Sequence, residues 1–401
     1  MSSEWQELTL GDIMTLQRGM DLPVQNRENG PFPIVASTGI VGFHNEAKAK
    51  GPGVVIGRSG SIGGGQYIEN DFWPLNTTLW IKDFKNNHPR FCYYLLRSID
   101  FNGMNTGSGV PTLNRNHLHP MPVKRPPRNE QESISQFLGA LDDRITLLRE
   151  TNKTLESIAQ AIFKSWFVDF DPVHAKMEGR QPEGMDEATA ALFPDSLEES
   201  ELGLIPRGWN IGKVGQAFNL TMGQSPPGDT YNDFGEGLPF YQGRTDFGFR
   251  SPSKRIFCTR PNRIANVGDT LVSVRAPVGD VNMAIELSCI GRGVAAVNHP
   301  QNFQGFTFYT MKALGSQFKT YDSEGTVFGS INKKDFEALK VIMPNMEVLQ
   351  HFDNITISLD SRISQNENTI RTLTELRDTL LPKLISGQLR LPEAQSLVQE
   401  A

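Results

Sequence analysis

This sequence contains little cysteine and no long apolar run, and both shortages limit what the protein can be. Only three cysteines occur among 401 residues, at the scattered positions Cys92, Cys258 and Cys289. Neither a disulfide framework nor a zinc cluster is therefore expected, and we predict buried, reduced thiols in a cytoplasmic protein. Because no run of about 18 apolar residues occurs, no membrane span is predicted. The first residues also lack the basic-then-apolar pattern of a signal peptide.

Motifs for methyl transfer, nucleotide binding and metal binding are missing as well. An amino-methyltransferase needs Asp, Asn or Ser, then Pro-Pro, then an aromatic residue that stacks on the extruded base. The nearest match is Ser225-Pro226-Pro227-Gly228, which we interpret as a turn because glycine cannot stack. The glycine-rich residues 57–65 have neither the dinucleotide spacing nor the terminal Lys-Ser/Thr of a phosphate loop. His117 and His119 lack nearby acidic or Cys partners, so no metal is expected.

The net charge of -6 hides two weakly basic segments. Residues 1–125 contain 12 Lys/Arg against 10 Asp/Glu, and residues 201–345 contain 15 against 12. Acidic residues are concentrated elsewhere, above all in residues 181–200, which contain six acidic residues and no Lys or Arg. A DNA-binding face is defined by local clustering of charge, so this modest excess permits DNA binding without proving it.

The sequence is built from one module used twice. Leu141-Asp142-Asp143-Arg144-Ile145 recurs 218 residues later as Leu359-Asp360-Ser361-Arg362-Ile363. A second echo, offset by 204 residues, relates Trp5 to Trp209 and places Gly19 in register with Gly223. Solenoids and propellers repeat every 20 to 50 residues or so, which excludes them here. We therefore predict two pseudo-equivalent halves, and hence a target that is itself read in two halves.

The distribution of residue types along the chain predicts an α+β fold with a pseudo-twofold repeat. Short β-branched and aromatic runs broken by Gly, Pro, Asn and Asp, such as Pro33–Ala36 and Thr270–Val274, predict strand-rich domains. The predicted order is a first strand-rich domain over 1–125, a first helical spacer over 126–176, an exposed linker over 177–205, a second strand-rich domain over 206–345, a second helical spacer over 346–389 and a tail over 390–401.

Each helical spacer contains an apolar seam whose spacing alternates between four and three residues. The seam residues that we single out are Leu141, Ile145, Leu148, Asn152, Leu155 and Trp166 in the first spacer, and Leu359, Ile363, Asn366, Ile370 and Leu373 in the second. The two helices most simply pair as an antiparallel coiled coil within the chain. Packing on separate cores, or pairing with another protein, would produce the same pattern. Asn152 and Asn366 are polar seam residues that can fix the register.

Several of these segments resemble the specificity subunit of type I restriction-modification systems. Residues 161–172 are similar to the central conserved region of that family. Residues 203–209 resemble its entry into the second recognition domain, and residues 380–389 resemble its closing segment. The resemblance covers essentially the full chain. It is specific in the helices and the linker and looser in the two strand-rich domains.

The resemblance implies a DNA-binding subunit without catalysis or cofactors of its own. Each strand-rich domain would read one half of a split, asymmetric site in double-stranded DNA. The paired helices would hold the halves apart and dock two methyltransferase subunits, which methylate adenine with S-adenosylmethionine. Restriction subunits, which use ATP and Mg, would join them to form a translocating nuclease.

Polar residues on predicted turns are the candidate DNA contacts, because DNA is read by side chains and amides that reach groove edges and phosphates. The candidates are Ser37, Thr38, Arg58, Ser59, Ser61, Asn76, Thr77, Thr106 and Ser108 in the first domain, and Gln242, Arg244, Arg275, Arg292 and Thr326 in the second. Glycines in these turns let the backbone approach phosphate, and arginine can bind guanine bidentately. Each candidate could equally belong to a plain surface turn.

Three alternatives stay open at the level of sequence. The chain could be a specificity subunit of a related modification system with a different nuclease partner. It could be a DNA methyltransferase or nuclease in its own right, although the missing motifs weigh against that. It could also be a coiled-coil adaptor that never touches DNA, which the twofold use of polar-turn domains disfavours.

Overall fold

The computed structural model of this chain describes residues 5–107, 109–323 and 329–399. It divides into two compact units, the first formed by residues 1–148 and 369–401 and the second by residues 149–368. Each unit contains one strand-rich domain and a part of each of two long helices. The α+β class with two similar halves, predicted from the sequence, is confirmed.

Short antiparallel strands dominate the first strand-rich domain. Its strands are β1 (Gln6–Thr9), β2 (Thr15–Arg18), β3 (Phe32–Ala36), β4 (Gly39–His44), β5 (Gly53–Gly57), β6 (Gly63–Ile68), β7 (Trp73–Pro74), β8 (Thr78–Asp83) and β9 (Pro122–Arg125). Its helices are α1 (Leu10–Ile13), α2 (Pro89–Arg97) and α3 (Arg115–Leu118). One sheet has the order β2-β8-β5-β6 and another the order β4-β3-β7, while β1 pairs with β9. That last pair joins the two ends of the domain.

The core of the first unit lies between the four-stranded sheet, α2 and parts of both long helices. Strand β5 is buried along its whole length, as expected for a Val- and Ile-rich central strand. Helix α2 begins with Pro89 in its first turn, where no intrahelical N–H is needed. Its buried residues pack on the sheet: Phe91, Cys92, Tyr94, Leu95 and Leu96. The sheet, α2 and the long helices therefore share one packed core beneath the turns of the domain.

The first long helix, α4, spans 40 residues (Arg128–Phe167), and a segment with short helices and a hairpin follows it. That segment contains α5 (Asp171–Met177), α6 (Glu187–Ala191) and the hairpin of β10 (Leu197–Ser200) and β11 (Gly203–Pro206). The prediction of an exposed linker is wrong for part of this range. Phe193 and Ile205 are only 2% and 4% exposed and belong to the core of the second unit.

The second strand-rich domain repeats the four-stranded sheet of the first, while its other sheet has five strands. Its strands are β12 (Asn210–Lys213), β13 (Asn219–Met222), β14 (Tyr231–Asn232), β15 (Leu238–Tyr241), β16 (Phe257–Cys258), β17 (Ile264–Ala265), β18 (Thr270–Ser273), β19 (Val281–Met283), β20 (Ser288–Ile290), β21 (Val294–Asn298) and β22 (Lys340–Met343). The helices from here to the end are α7 (Val214–Ala217), α8 (Gln304–Ala313), α9 (Gly315–Ser323), α10 (Lys333–Ala338), α11 (Met346–Ser386) and α12 (Leu391–Gln399). The order β13-β21-β18-β19 matches β2-β8-β5-β6, and β12 pairs with β22 as β1 does with β9. The five-stranded sheet has the order β14-β16-β15-β20-β17.

Within each unit the two long helices pack against each other in antiparallel directions. In the first unit, Arg377 of α11 forms an ion pair of 2.7 Å with Asp142 of α4. In the second unit, the amide nitrogen of Asn366 donates to Asn152 Oδ1 over 2.8 Å, and the Phe163 ring contacts Phe352. All eleven seam residues singled out above are buried or half-buried. The seam therefore holds the helices together.

Two expectations drawn from composition can be compared with the fold. Cys92, Cys258 and Cys289 are all free and buried, as predicted. Burial raises the pKa of the Cys92 and Cys289 thiols to about 12, so both stay protonated at neutral pH. Among the described residues, no helix combines the length and apolar character that a membrane span requires.

Candidate nucleic-acid interface

Three of the predicted turns of the first domain meet at one end of its sheets. The backbone N–H groups of Arg58 and Ser59 both donate to the carbonyl of Thr77, over 2.8 and 3.1 Å. The N–H of Ser37 donates to Thr77 Oγ1 over 3.4 Å. Residues that are up to forty positions apart in sequence are thus held in one place by backbone geometry.

The fourth predicted turn joins the same place through Thr112. Thr106 donates to the Thr112 carbonyl from both its N–H and its hydroxyl, each over 2.9 Å. Thr112 forms a β-bridge with Ser59, and the N–H of Leu113 donates to the Arg58 carbonyl over 2.8 Å. We name this assembly the first turn cluster, formed by residues 37–38, 58–61, 76–77, 106–107 and 109–113. Ser61 lies on its exposed edge.

Side chains in the first turn cluster form a small polar and cationic network. Arg58 Nε donates to the carbonyl of Asn76 over 2.9 Å, and the Asn76 amide donates to Asp21. Burial and the charge of Arg18 both lower the pKa of the Arg58 guanidinium, which still stays charged at neutral pH. Two neighbouring guanidinium groups produce a positive potential that attracts an anion such as phosphate.

The second domain repeats four backbone hydrogen bonds in and beside this assembly. The N–H of Val274 donates to Gly293 as that of Arg58 does to Thr77. In the first domain the N–H groups of Arg58, Leu75, Met20 and Leu113 donate to the carbonyls of Thr77, Val35, Pro74 and Arg58, in that order. In the second domain the equivalent N–H groups of Val274, Gly291, Gln224 and Ile331 donate to the carbonyls of Gly293, Tyr241, Ile290 and Val274. All of these distances lie between 2.8 and 3.1 Å. We name the equivalent assembly, residues 242–244, 274–276, 291–293 and 329–331, the second turn cluster.

Equivalent positions in and beside the two clusters carry different side chains. The backbone equivalences relate Thr38 to Arg244, Ser59 to Arg275, Asn76 to Arg292 and Asp21 to Ser225. The pair formed by Asn76 and Asp21 thus becomes one in which Arg292 Nε donates to Ser225 Oγ over 3.3 Å. The second cluster is richer in arginine than the first, so the two present different hydrogen-bonding groups on the same frame.

Among the arginines of the second turn cluster, Arg275 is the best placed to bind something outside the chain. Arg244 forms an ion pair with Asp280, and Arg292 contacts Ser225. Arg275 is exposed, and its side chain has no hydrogen bond or ion pair within residues 149–323 and 329–368. Gln242 is exposed as well, while its backbone N–H donates to Asp246 over 2.6 Å.

Two equivalent glycines allow the close backbone approach on which both clusters depend. A Cβ atom on Gly19 would lie 2.2 Å from the carbonyl oxygen of Leu75. A Cβ atom on Gly223 would lie 2.2 Å from the carbonyl oxygen of Gly291. Any side chain at these positions would push apart the strands beneath the clusters, which accounts for the glycine at both points of the repeat.

The structure adds residues that sequence reasoning missed, and it leaves two predictions outside its range. Ser108 and Thr326 lie outside the described residues. Asp21 and Arg18 were not selected from the sequence, and Ser225 was interpreted only as part of a turn. The offset of 204 residues that relates Gly19 to Gly223 also relates Asp21 to Ser225, and it could have indicated both.

Chemically, the two clusters offer hydrogen-bond donors, acceptors and positive charge. Such groups suit base edges and phosphates. Within residues 5–107, 109–323 and 329–399, no group of three or more His, Cys, Asp or Glu could hold a metal ion.

Comparisons with known proteins agree on one family. The profile described as "Type I restriction modification DNA specificity domain" matches residues 2–157 and 206–370. The HindI type I restriction enzyme specificity subunit of Haemophilus influenzae is 25% identical, over 96% of this chain and 100% of that protein. A putative specificity subunit of the MjaX enzyme of Methanocaldococcus jannaschii is 29% identical over 70% of this chain, and that match spans 62% of the relative's own length. A type I restriction-modification S subunit from M. genitalium has a similar fold, with a TM-score of 0.61, 17% identity and 96% coverage of both chains.

Proposed function

This chain belongs to the type I restriction-modification DNA specificity family, and on that premise we propose that it reads a bipartite asymmetric DNA site without catalysing a reaction itself. The first turn cluster reads one half of the site and the second turn cluster reads the other. The paired helices set the spacing between the halves and dock two methyltransferase subunits, which supply S-adenosylmethionine. Restriction subunits supply ATP and Mg chemistry.

One observation carries this proposal, namely that the two clusters share a backbone frame and differ in their side chains. The frame fixes where side chains meet DNA, while the side chains decide which base edges they match. Ser59 and Arg275 occupy equivalent positions but suit different bases, because arginine favours guanine and serine is less selective. Two unlike readers of this kind support an asymmetric target.

The helices contribute surfaces that support docking of partner subunits. Seam side chains are buried or half-buried, so we propose that they act in docking only by holding the helices in place. Apolar side chains on the outer faces of the long helices are exposed, and we propose that a partner covers them: Ile158, Ile355 and Ile357. A partner that covers these side chains removes their apolar surface from water, which stabilises association.

The proposal is tested by changing one reader at a time in the assembled complex. The full chain is combined with the methyltransferase subunit of its own system, and methylated adenines are mapped by sequencing. Arg275→Ala should weaken binding by about 1–3 kcal/mol, or roughly 5- to 150-fold, and relax base choice in one half only. Ser59→Ala, its structural counterpart, should relax choice in the other half only.

Arg207→Ala is the matched control, because it removes an exposed arginine from the turn between β11 and β12, outside the cluster. It should leave both halves unchanged. Methyl transfer by the isolated, homogeneous chain would refute a non-catalytic subunit. Relaxation of both halves by Arg275→Ala would refute the assignment of one cluster to each half.

A further inference from the structure

Arg250 is a buried arginine of the second domain that the proposed function does not use. It is 2% exposed and lies at the tip of a tight turn in which Phe247 bridges Pro252. Its Nη2 donates to Asp360 of α11 over 2.6 Å and to the Tyr309 hydroxyl over 2.7 Å. The guanidinium carbon also lies 4.0 Å from the centre of the Phe308 ring. The tip of the turn is thereby fixed to helices α8 and α11.

Further contacts, made by the backbone of Arg250 and by the Ser251 side chain, hold the same turn in place. Glu367 of α11 accepts from the Arg250 N–H over 3.3 Å and from the Ser251 hydroxyl over 2.9 Å. The N–H of Met283 donates to the Arg250 carbonyl over 2.8 Å. Asp360 and Glu367, which lie two helical turns apart on α11, thus contact the adjacent residues Arg250 and Ser251.

Asp246 connects this anchored turn to the second turn cluster. Its carboxylate accepts from the N–H groups of Gln242 and Gly243, over 2.6 and 3.3 Å, and it pairs with Arg255. Its carbonyl accepts from the N–H of Ser253 over 2.8 Å. The hydrogen bonds of Asp246 therefore join Ser253, the residue that directly follows the anchored turn, to the residues beside Arg244.

Stability alone does not favour a buried arginine with incomplete hydrogen bonding at this position. Arg250 Nε and Nη1 are buried without a partner among the described residues. Burying a charge with incomplete hydrogen bonding is costly, and replacing buried ion pairs by apolar side chains often leaves stability unchanged or improves it. The buried arginine instead fixes the orientation of the turn, because its planar guanidinium binds the turn to one point on α11.

We propose that Arg250 is a positioning residue that sets Gln242 and Arg244 in their reading geometry by tying their segment to Asp360 and Glu367 on α11. This inference rests on the proposed function of the second turn cluster. It adds that the accuracy with which one half of the site is read depends on a contact with the helix and not only on side chains that face DNA.

The test compares how strongly methylation discriminates between the cognate duplex and duplexes with one substitution. Loss of folded protein alone would not change that ratio of rates. Once the site has been mapped, methylation rates of the assembled complex are measured on the cognate duplex and on duplexes with one substitution in either half. All rates are normalised to the titrated active fraction. Arg250→Met should lower discrimination tenfold or more in the half read by the second cluster and change it less than twofold in the other. Arg250→Lys should retain part of the discrimination.

Lys254→Met is the matched control, because Lys254 belongs to the same segment but forms an exposed ion pair with Glu286. It should leave discrimination unchanged. If Arg250→Met does not fold, Asp360→Asn removes the charge of the partner with little change in shape and should produce the same one-sided loss. A fall in active fraction with unchanged discrimination in both halves would overturn the proposal. Failure of the proposed function itself would look different, because the wild-type complex would then show no separable halves.

Discussion

Replacing the buried asparagine pair by leucine should show that the two amides stabilise the second unit only when both are present. Asn152 and Asn366 are 2% and 4% exposed, and one amide donates to the other over 2.8 Å. The perturbation consists of Asn152→Leu, Asn366→Leu and the double variant. Leucine is the usual residue of such a seam and should pack there.

The expected magnitude follows from the hydrogen bond that each single variant breaks. Asn366→Leu leaves Asn152 Oδ1 buried without its donor, and a stranded polar group costs about 1–3 kcal/mol. The double variant strands nothing, because both amides are gone. It should therefore be more stable than the sum of the single effects by about 2 kcal/mol or more, because each single variant strands one polar group.

Urea unfolding followed by thiol labelling can measure this effect in the intact chain. Cys258 and Cys289 are buried in the second unit, and Cys92 in the first serves as an internal reference. With a urea dependence of about 2 kcal/mol per molar, a coupling of about 2 kcal/mol separates the midpoints by about 1 M. Asn354→Leu, an exposed substitution on the same helix, should stay within about 0.5 kcal/mol of the wild type.

Two results would refute the reasoning. If the single effects added within about 0.5 kcal/mol, the amides would not act as a pair. If labelling of Cys92 shifted as much as that of Cys258 and Cys289, the substitutions would not act on the second unit in particular.

Three further predictions concern DNA. Arg58→Met should reduce the slope of log affinity against log salt by about 1 if Arg58 holds a phosphate, and an unchanged slope in a salt titration would remove it from the backbone contacts. Gly293→Ala would place a Cβ atom 2.2 Å from the Gln242 carbonyl oxygen, so methylation mapping should show loss of one half of the site, and retention of both would contradict the close approach. Inserting four residues after Thr151 and four after Thr369 adds about 6 Å to each helix, which should lengthen the gap between half-sites by about one to two base pairs; an active complex with an unchanged gap would refute the ruler.

The sequence by itself determined the two copies, the element types and much of their extent. Heptad spacing indicated both long helices, which span Arg128–Phe167 and Met346–Ser386. The β-branched runs Pro33–Ala36 and Thr270–Val274 lie almost wholly within β3 and β18. Such patterns are local, because the spacing of apolar residues within a few positions shows which face of a helix or strand is buried.

Only the tertiary structure decided which turns meet and what each side chain contacts. The convergence of Ser37, Arg58 and Thr77 depends on strand pairing across the sheets, including the parallel pair β3 and β7, and no local pattern encodes it. Ser225 was interpreted as a turn residue and lies beside Arg292. Arg250 reads in sequence like any surface arginine, yet it is buried on Asp360, because its environment comes from residues more than fifty positions away. Burial and pairing of a polar side chain are set by distant partners, and these exist only once the chain has folded.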